Sequence, residues 1–484
     1  MQGKWLKSRL SKGHPWGKQI NLTWEKGYLG KGDNVMKKKL VLVLAASMLL
    51  GGCGVEFSPQ NQSASGNPKT IVQEDPTSSA SNATNNEEDP SNSNSQASEE
   101  EPTLEPAEPL AIPDEVKAPK DKYEKAAYLA DYMAKENAGK NTLASPISLE
   151  MALGLAAEGA SGETLEEMKS YLGKENYADW AADYMAFAKE LESAKNDRYS
   201  FAYEIANSMW FQEGLQLKKE FQNTAEKKFE AKAENVDFIN ATNEAIKTIN
   251  TWIEKKTHDM LKDVLKASDI TSDTRAVLVN SLYFESPWAE EWGLYEHEFT
   301  NLSGEKKTQE MLVDYGLSEY FENDYCTAFA KNYYNRFQFI GILPKEEGDF
   351  NISDLDLKGL MESRTTEYDV HAIAPKMDFE SEAQGIVQML LEQGVQKPFF
   401  ADTASFDEMI EDDNFFISKI IQKCKIKLDE KGTQAAAVTI LEMDEACALV
   451  EEREVKEVYL DRPFAFMIYD SRNDEIAFIG KVVE

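Results

Sequence analysis

From Gly54 to about Lys120 the chain is built of Ser, Asn, Glu, Pro and Gln, with almost no aromatic residue after Phe57. A segment of that composition cannot bury enough apolar surface to offset the entropy of ordering it, so folding is confined to what lies beyond. Residues 53–120 are therefore expected to form a disordered acidic stalk, extended toward its end by the prolines between Glu101 and Pro119. Residues 121–484 are numerous enough to bury a substantial core, and neither an internal repeat nor a Pro- and Gly-rich linker divides them. One large domain is the expectation.

Ahead of the stalk, Met36-Lys37-Lys38-Lys39 precedes an almost wholly apolar run from Leu40 to Leu50, and then Gly51-Gly52-Cys53. A basic start, a short apolar stretch and small residues before a cysteine are the order of a secretory signal, and the stretch is short for a spanning helix. The last four residues resemble the bacterial lipobox. That resemblance implies a signal peptide over 36–52, and Cys53 as the new, lipidated amino terminus. Two acyl chains anchor stably where one is marginal. The expected place is outside a bacterial cell membrane, on its extracellular or periplasmic face, held by the N-terminal lipid. Residues 1–35 share none of these features and read as an artefactual extension of the reading frame, with translation starting at Met36.

Charge and cysteine usage remove several function classes. The chain carries 52 basic and 86 acidic residues, a formal charge of -34. Residues 1–52 hold 10 of the basic and 2 of the acidic residues, so their removal takes the charge to about -42. No basic footprint for nucleic acid exists, and an acidic surface disfavours peripheral binding to anionic lipid. Cys326, Cys424 and Cys447 are too few for a disulfide framework. His258, His297 and His371 are far apart in sequence, and neither a paired-cysteine motif nor an HExxH helix points to a metal. A Gly-x-Ser-x-Gly elbow for a serine peptidase is also missing.

Along the body, spaced apolar residues predict helices over Lys120–Lys135, Glu163–Met168, Phe221–Phe229, Thr242–Leu265 and Ala383–Glu392. Ser145 is placed to cap another, with Pro146 at its first position. Candidate strands are Phe201–Phe211, Tyr333–Leu343, Tyr368–Ile373, Cys424–Leu428, Phe464–Tyr469 and Ile476–Val483. The apolar run Ala276–Phe284 suggests a central strand. Helices dominate the first half and strands the second, an α+β order.

Several short motifs occur in a telling sequence: Asn141 with Ser145-Pro146-Ile147-Ser148, Asn207 with Met209-Trp210, Val236-Asp237-Phe238, Asn250 with Trp252 and Thr257, and Val279-Asn280-Ser281-Leu282-Tyr283-Phe284 with Trp288. Leu343-Pro344, Pro375-Lys376-Met377, Glu430-Lys431-Gly432-Thr433-Gln434-Ala435-Ala436-Ala437-Val438-Thr439, Asp461-Arg462-Pro463-Phe464-Ala465-Phe466 and Ile476-Ala477-Phe478-Ile479-Gly480 continue it. The ordered set resembles the serpin family across residues 121–484. The resemblance implies three β-sheets with about eight or nine helices and an exposed reactive loop at about 430–458. It implies a monomer without a cofactor or catalytic residue, which traps a serine endopeptidase as an acyl-enzyme when the cut loop inserts into the large sheet. A non-inhibitory cell-surface binding protein on the same fold is the alternative.

The residues of the hinge suit such an insertion. Gly432 can absorb a backbone change at the turning point, Ala435, Ala436 and Ala437 pass a narrow gap, and Val438 and Thr439 favour extended structure. Thr433, Ala435, Ala437, Thr439 and Leu441 would share one face of the inserted strand. Family hinge spacing from Glu430 puts the reactive bond between Ala446 and Cys447; counting back from Pro463 gives Glu452 instead. Leu449 or Val450 would suit a hydrophobic pocket. Ala446 fits an elastase-like or subtilisin-like protease with a small or apolar specificity pocket. By the same resemblance Ser145, Ser148, Asn280 and Gln422 match the shutter beneath the large sheet, with Gln422 where relatives commonly have histidine, and Trp288 and Glu430 match the breach at its upper opening.

Overall fold

The structure is a computed structural model of the chain and describes residues 3–9, 21–27, 101–193, 202–383, 385–411, 414–433 and 453–484. The chain divides into two units, Met1–Asn92 and Ser93–Glu484. In the first, β1 (Gly3–Arg9) and β2 (Asn21–Gly27) pair as an antiparallel ribbon. No helix among the described residues is long and apolar enough to cross a membrane.

The second unit begins its regular structure with α1 (Lys122–Glu136), β3 (Thr142–Ala144), α2 (Pro146–Ala157), α3 (Gly162–Leu172) and α4 (Tyr177–Ser193). Then come β4 (Ala202–Gln212), α5 (Lys219–Lys228), β5 (Lys232–Val236), α6 (Thr242–Lys256) and β6 (Ala276–Pro287). Strands follow: β7 (Gly293–Thr300), β8 (Lys306–Leu317), β9 (Tyr320–Glu322), β10 (Cys326–Asn332) and β11 (Phe337–Pro344). The chain continues through α7 (Leu357–Glu362), β12 (Asp369–Pro375), β13 (Met377–Ala383), α8 (Ile386–Glu392) and β14 (Lys419–Leu428). It closes with β15 (Gly432–Thr433), β16 (Val455–Tyr459), β17 (Phe464–Asp470) and β18 (Glu475–Val482).

These strands of the second unit form three sheets: a large one in the order β13-β14-β15-β6-β4-β5, a second of β3-β18-β17-β11-β10-β9, and a four-stranded one of β16-β12-β8-β7. With the eight described α-helices this is the α+β architecture expected. The central strand β6 shows why its sequence is an unbroken apolar run. Ala276, Leu278, Leu282 and Phe284 enter the main core, while Val277 and Val279 point to a smaller cluster under α6 with Ile249, Ile253 and Trp210. A strand covered on both faces has no use for alternation.

Helix α2 is buried along its whole length. Ser145 caps it, its Oγ accepting from the Ser148 N–H at 3.3 Å, and Pro146 sits at the first position. Its one charged residue, Glu150, is paired with Lys125 and with Lys174, the latter at 2.5 Å. Burial would raise the carboxyl's pKa, but the two ammonium groups outweigh that and lower it.

Three sequence readings are corrected. The helix expected over Thr242–Leu265 stops at Lys256, because His258 and Asp259 take left-handed backbone (φ 50° and 61°) that cannot continue it. Leu261, Val264 and Leu265 fold back into the same small cluster and so extend the periodicity without extending the helix. The strand expected from Tyr333 begins at Phe337, after a turn in which Arg336 has φ 71°. Residues 101–120, placed in the stalk by composition, lie on the body. The Asn243 N–H donates to Glu101 (3.0 Å), the Ser272 N–H to the Glu105 carbonyl (3.0 Å), and the Lys117 N–H to the Glu392 carbonyl (2.7 Å). Ala111 and Gln388 exchange two hydrogen bonds, and Leu104 and Leu110 pack on the small and main clusters. Two anchoring leucines vanish in an averaged composition.

Candidate functional site

Strands β6 and β14 run parallel and pair directly only from Val277/Lys419 to Asn280/Gln422. Higher up, the two-residue β15 sits between them, with Thr433 in register with Leu428 on one side and Ser286 on the other. Between these two points no described residues pair β6 with β14 or bridge them. β14 instead pairs on its far side with β13 along Gln422–Leu428. Among the described residues the sheet therefore has a closed base, a parted middle and a short wedge at the top.

The base is a neutral hydrogen-bond knot among fully buried side chains. The Gln422 amide oxygen accepts from the Ser145 N–H (2.9 Å), and its nitrogen donates to the Ser145 carbonyl (2.9 Å) and to Asn280 Oδ1 (3.1 Å). Asn280 Oδ1 also accepts from the Ser148 hydroxyl, and its Nδ2 donates to the Ser148 carbonyl and to Asn207 Oδ1 (2.5 Å). An amide both donates and accepts, so Gln422 meets all of these needs without a titratable proton.

At the top, Gly432 crosses so close to β6 that a Cβ would collide with the Ser286 carbonyl oxygen and lie 2.7 Å from Pro287 Cα. Asp429 shapes the preceding turn, accepting from the Lys431 and Gly432 N–H groups at 2.9 and 3.3 Å. Thr433 is buried, its Oγ1 2.8 Å from the Tyr333 hydroxyl. Trp288 stacks on Tyr333 at 4.1 Å between ring centroids and donates its indole N–H to the Asp429 carbonyl (2.9 Å). The Trp288 and Trp292 N–H groups donate to the Lys431 and Glu430 carbonyls, each at 3.0 Å. Lys376 bridges Glu430 (3.0 Å) and Glu310 (2.8 Å). Its own backbone N–H and the Lys376 ammonium hold the Glu430 carboxyl below the usual range.

A family model described as Serpin (serine protease inhibitor) matches residues 123–484. The chain belongs to the serpin family. It is 31% identical over 365 residues to an uncharacterized serpin-like protein of Thermococcus kodakarensis, covering 72% of this chain and 82% of the relative. It is 27% identical to a leukocyte elastase inhibitor of Xenopus tropicalis, covering 71% of this chain and 93% of that one. Among solved structures, native tengpin, a thermophilic serpin, superposes with a TM-score of 0.64 at 28% identity, over 78% of this chain and 97% of tengpin. Membership makes this a protein of the non-catalytic inhibitor type, not an enzyme.

In this serpin the candidate shutter residues Ser145, Ser148, Asn280 and Gln422 meet at the base, and the candidate breach residues Trp288 and Glu430 meet at the top, with Gly432 and Thr433 beside them. Ala435, Ala436, Ala437, Val438, Thr439, Ala446, Cys447 and Cys53 lie outside the described residues. Tyr333, Trp292, Lys376 and Asp429 were not singled out as site residues from the sequence. Tyr333 had no signal at all, because only the approach of β10 and β11 to the wedge brings its ring onto Trp288. Cys326 and Cys424 are buried, and burial pushes the Cys326 thiol up to about 12.

Proposed function

We propose that this serpin is a suicide-substrate inhibitor of extracellular serine proteases, in which the cleaved loop enters the large sheet and traps the acyl-enzyme. The observation that carries the reading is the wedge: Gly432 and Thr433 already sit between β6 and β14, above a parted stretch. Gly432 and Thr433 supply the first paired residues of a strand whose inward-alternating positions after Thr433 are Ala435, Ala437 and Thr439. Each is small or β-branched, and proline is absent from Gly432 through Leu460. A strand completed there would satisfy backbone groups along both flanking strands.

The reactive bond is Ala446–Cys447, and the target has a small or apolar specificity pocket of elastase-like or subtilisin-like shape. The leukocyte elastase inhibitor among the relatives agrees with that choice in name. Cys53 carries the lipid that holds the inhibitor outside a bacterial cell, and the acidic segment after it spaces the body from the membrane. Incubation of the chain with elastase and with subtilisin, followed by denaturing gel and mass spectrometry, tests the reading. The expected product is a one-to-one adduct that survives denaturation and whose inhibitor portion ends at Ala446. Cleavage of the loop with full protease activity retained would point to the binding-protein alternative.

A further inference from the structure

A buried polar side chain nearly always has a hydrogen-bond partner, so one that lacks it asks for an explanation. Gln393, the residue that ends α8, is 6% exposed, and among the described residues its Oε1 is buried with no partner. The same side chain lines a cleft of about 350 Å³ between α1, α8 and the turn at 351–353. That is the size range of small-molecule pockets.

The walls of the cleft are held in place by backbone contacts. Asp131 on α1 accepts from the Ile352 and Ser353 N–H groups at 2.6 and 3.0 Å, which pins the turn to the helix. Burial raises the Asp131 carboxyl above its usual range in spite of those bonds. At the other end the Lys117 N–H donates to the Glu392 carbonyl at 2.7 Å and ties the segment before α1 to α8. Tyr128 and Tyr132 lie one turn apart on α1 and face the cleft together with Met389, which is buried on α8. The charges at the rim balance, Lys117 and Lys135 against Asp131 and Glu392.

Each part of this lining specifies a property of the occupant. Two tyrosine rings and a polarizable thioether favour a flat aromatic body. A rim of two cations and two anions offers no net charge to a charged ligand. A buried acceptor without a partner calls for a donor. We propose that the cleft is a binding site for a small, uncharged aromatic molecule carrying one N–H or O–H group, which donates to Gln393 Oε1. A molecule held there bridges α1 to α8, and α8 packs on β14 of the large sheet. Binding to the folded chain alone raises its melting midpoint. The site shares no residue with the hinge, the wedge or the base of the sheet, and it stands whether or not the chain traps a protease.

Indole and N-methylindole test the proposal, because they share a ring system and only the first has an N–H to donate. Each is titrated into the full chain by calorimetry, for wild type, Gln393→Leu and Tyr132→Ala. Wild type is expected to bind indole at least about tenfold more tightly than N-methylindole, and to melt higher in its presence. Gln393→Leu should bind the two probes within about twofold of each other. Without ligand that variant should melt at or above wild type, since it removes a buried group that has no partner. Tyr132→Ala should weaken both probes together. A wild type that binds neither probe, or binds both equally, overturns the site, as does a Gln393→Leu variant that keeps the preference for indole.

Discussion

The base and the top of the large sheet hold the same two strands by different chemistry. At the base, Asn280 and Gln422 join β6 to β14 through buried amides and hydroxyls, all of them neutral. At the top, β15 is held by stacked aromatic rings and by Lys376 shared between Glu430 and Glu310. A neutral buried network costs heavily when one member is removed, because every former partner is left unsatisfied in a dry site. A half-exposed ion pair costs little and responds to pH and salt. The sheet thus has an all-or-none lock at its base and a tunable catch at its opening.

The largest effect should come from breaking the lock. Asn280→Ala strands the Ser148 hydroxyl and the Asn207 and Gln422 amides, and is expected to cost about 3 kcal/mol in urea unfolding. Gln422→Leu should cost about 2 kcal/mol by removing the amide's hydrogen bonds to both backbone groups of Ser145 and to Asn280.

Gln422→His sharpens the contrast by placing a titratable group in the knot. Burial lowers the folded-state pKa of an imidazole below its unfolded value of about 6.5, so the unfolded chain binds more protons. Stability of that variant should therefore fall as pH drops below about 6.5, read as a pH-dependent melting midpoint. Wild type should show no such step arising from the base.

The catch predicts a smaller, opposite-sited effect. Glu430 has a lowered folded pKa, so its contribution is present above the unfolded value of about 4.3 and is lost as pH falls through the folded value beneath it. Hydrogen exchange at Lys431 and Gly432 should accelerate over that interval while the β6/β14 amides at the base stay protected. Glu430→Gln should remove the pH dependence. The smallest change is Leu104→Ala, which loosens the segment lying against the small cluster by about 1 kcal/mol and should leave exchange at the wedge unaltered.

How much of this was legible depended on whether the signal was local. The cap at Ser145-Pro146 and the two-face burial of β6 are written in adjacent residues, and both stand in the structure. The end of α6 was obscured because Leu261 and Leu265 keep helical spacing while His258 and Asp259 turn the backbone away. The docking of residues 101–120 depends on single leucines and backbone groups that meet partners more than a hundred residues away. Tyr333 illustrates the same limit at the site: it is an ordinary aromatic in its own segment, and only the fold stacks it on Trp288, which the family resemblance had marked, and sets its hydroxyl against Thr433.

The parted sheet is the central claim, and a thermal melt of the chain after cleavage in its loop tests it most directly. Completing the sheet would add backbone hydrogen bonds and bury the inserted side chains between β6 and β14, so the cut molecule is predicted to melt far above the intact one. A cut molecule that melts at or below the intact midpoint would contradict the account.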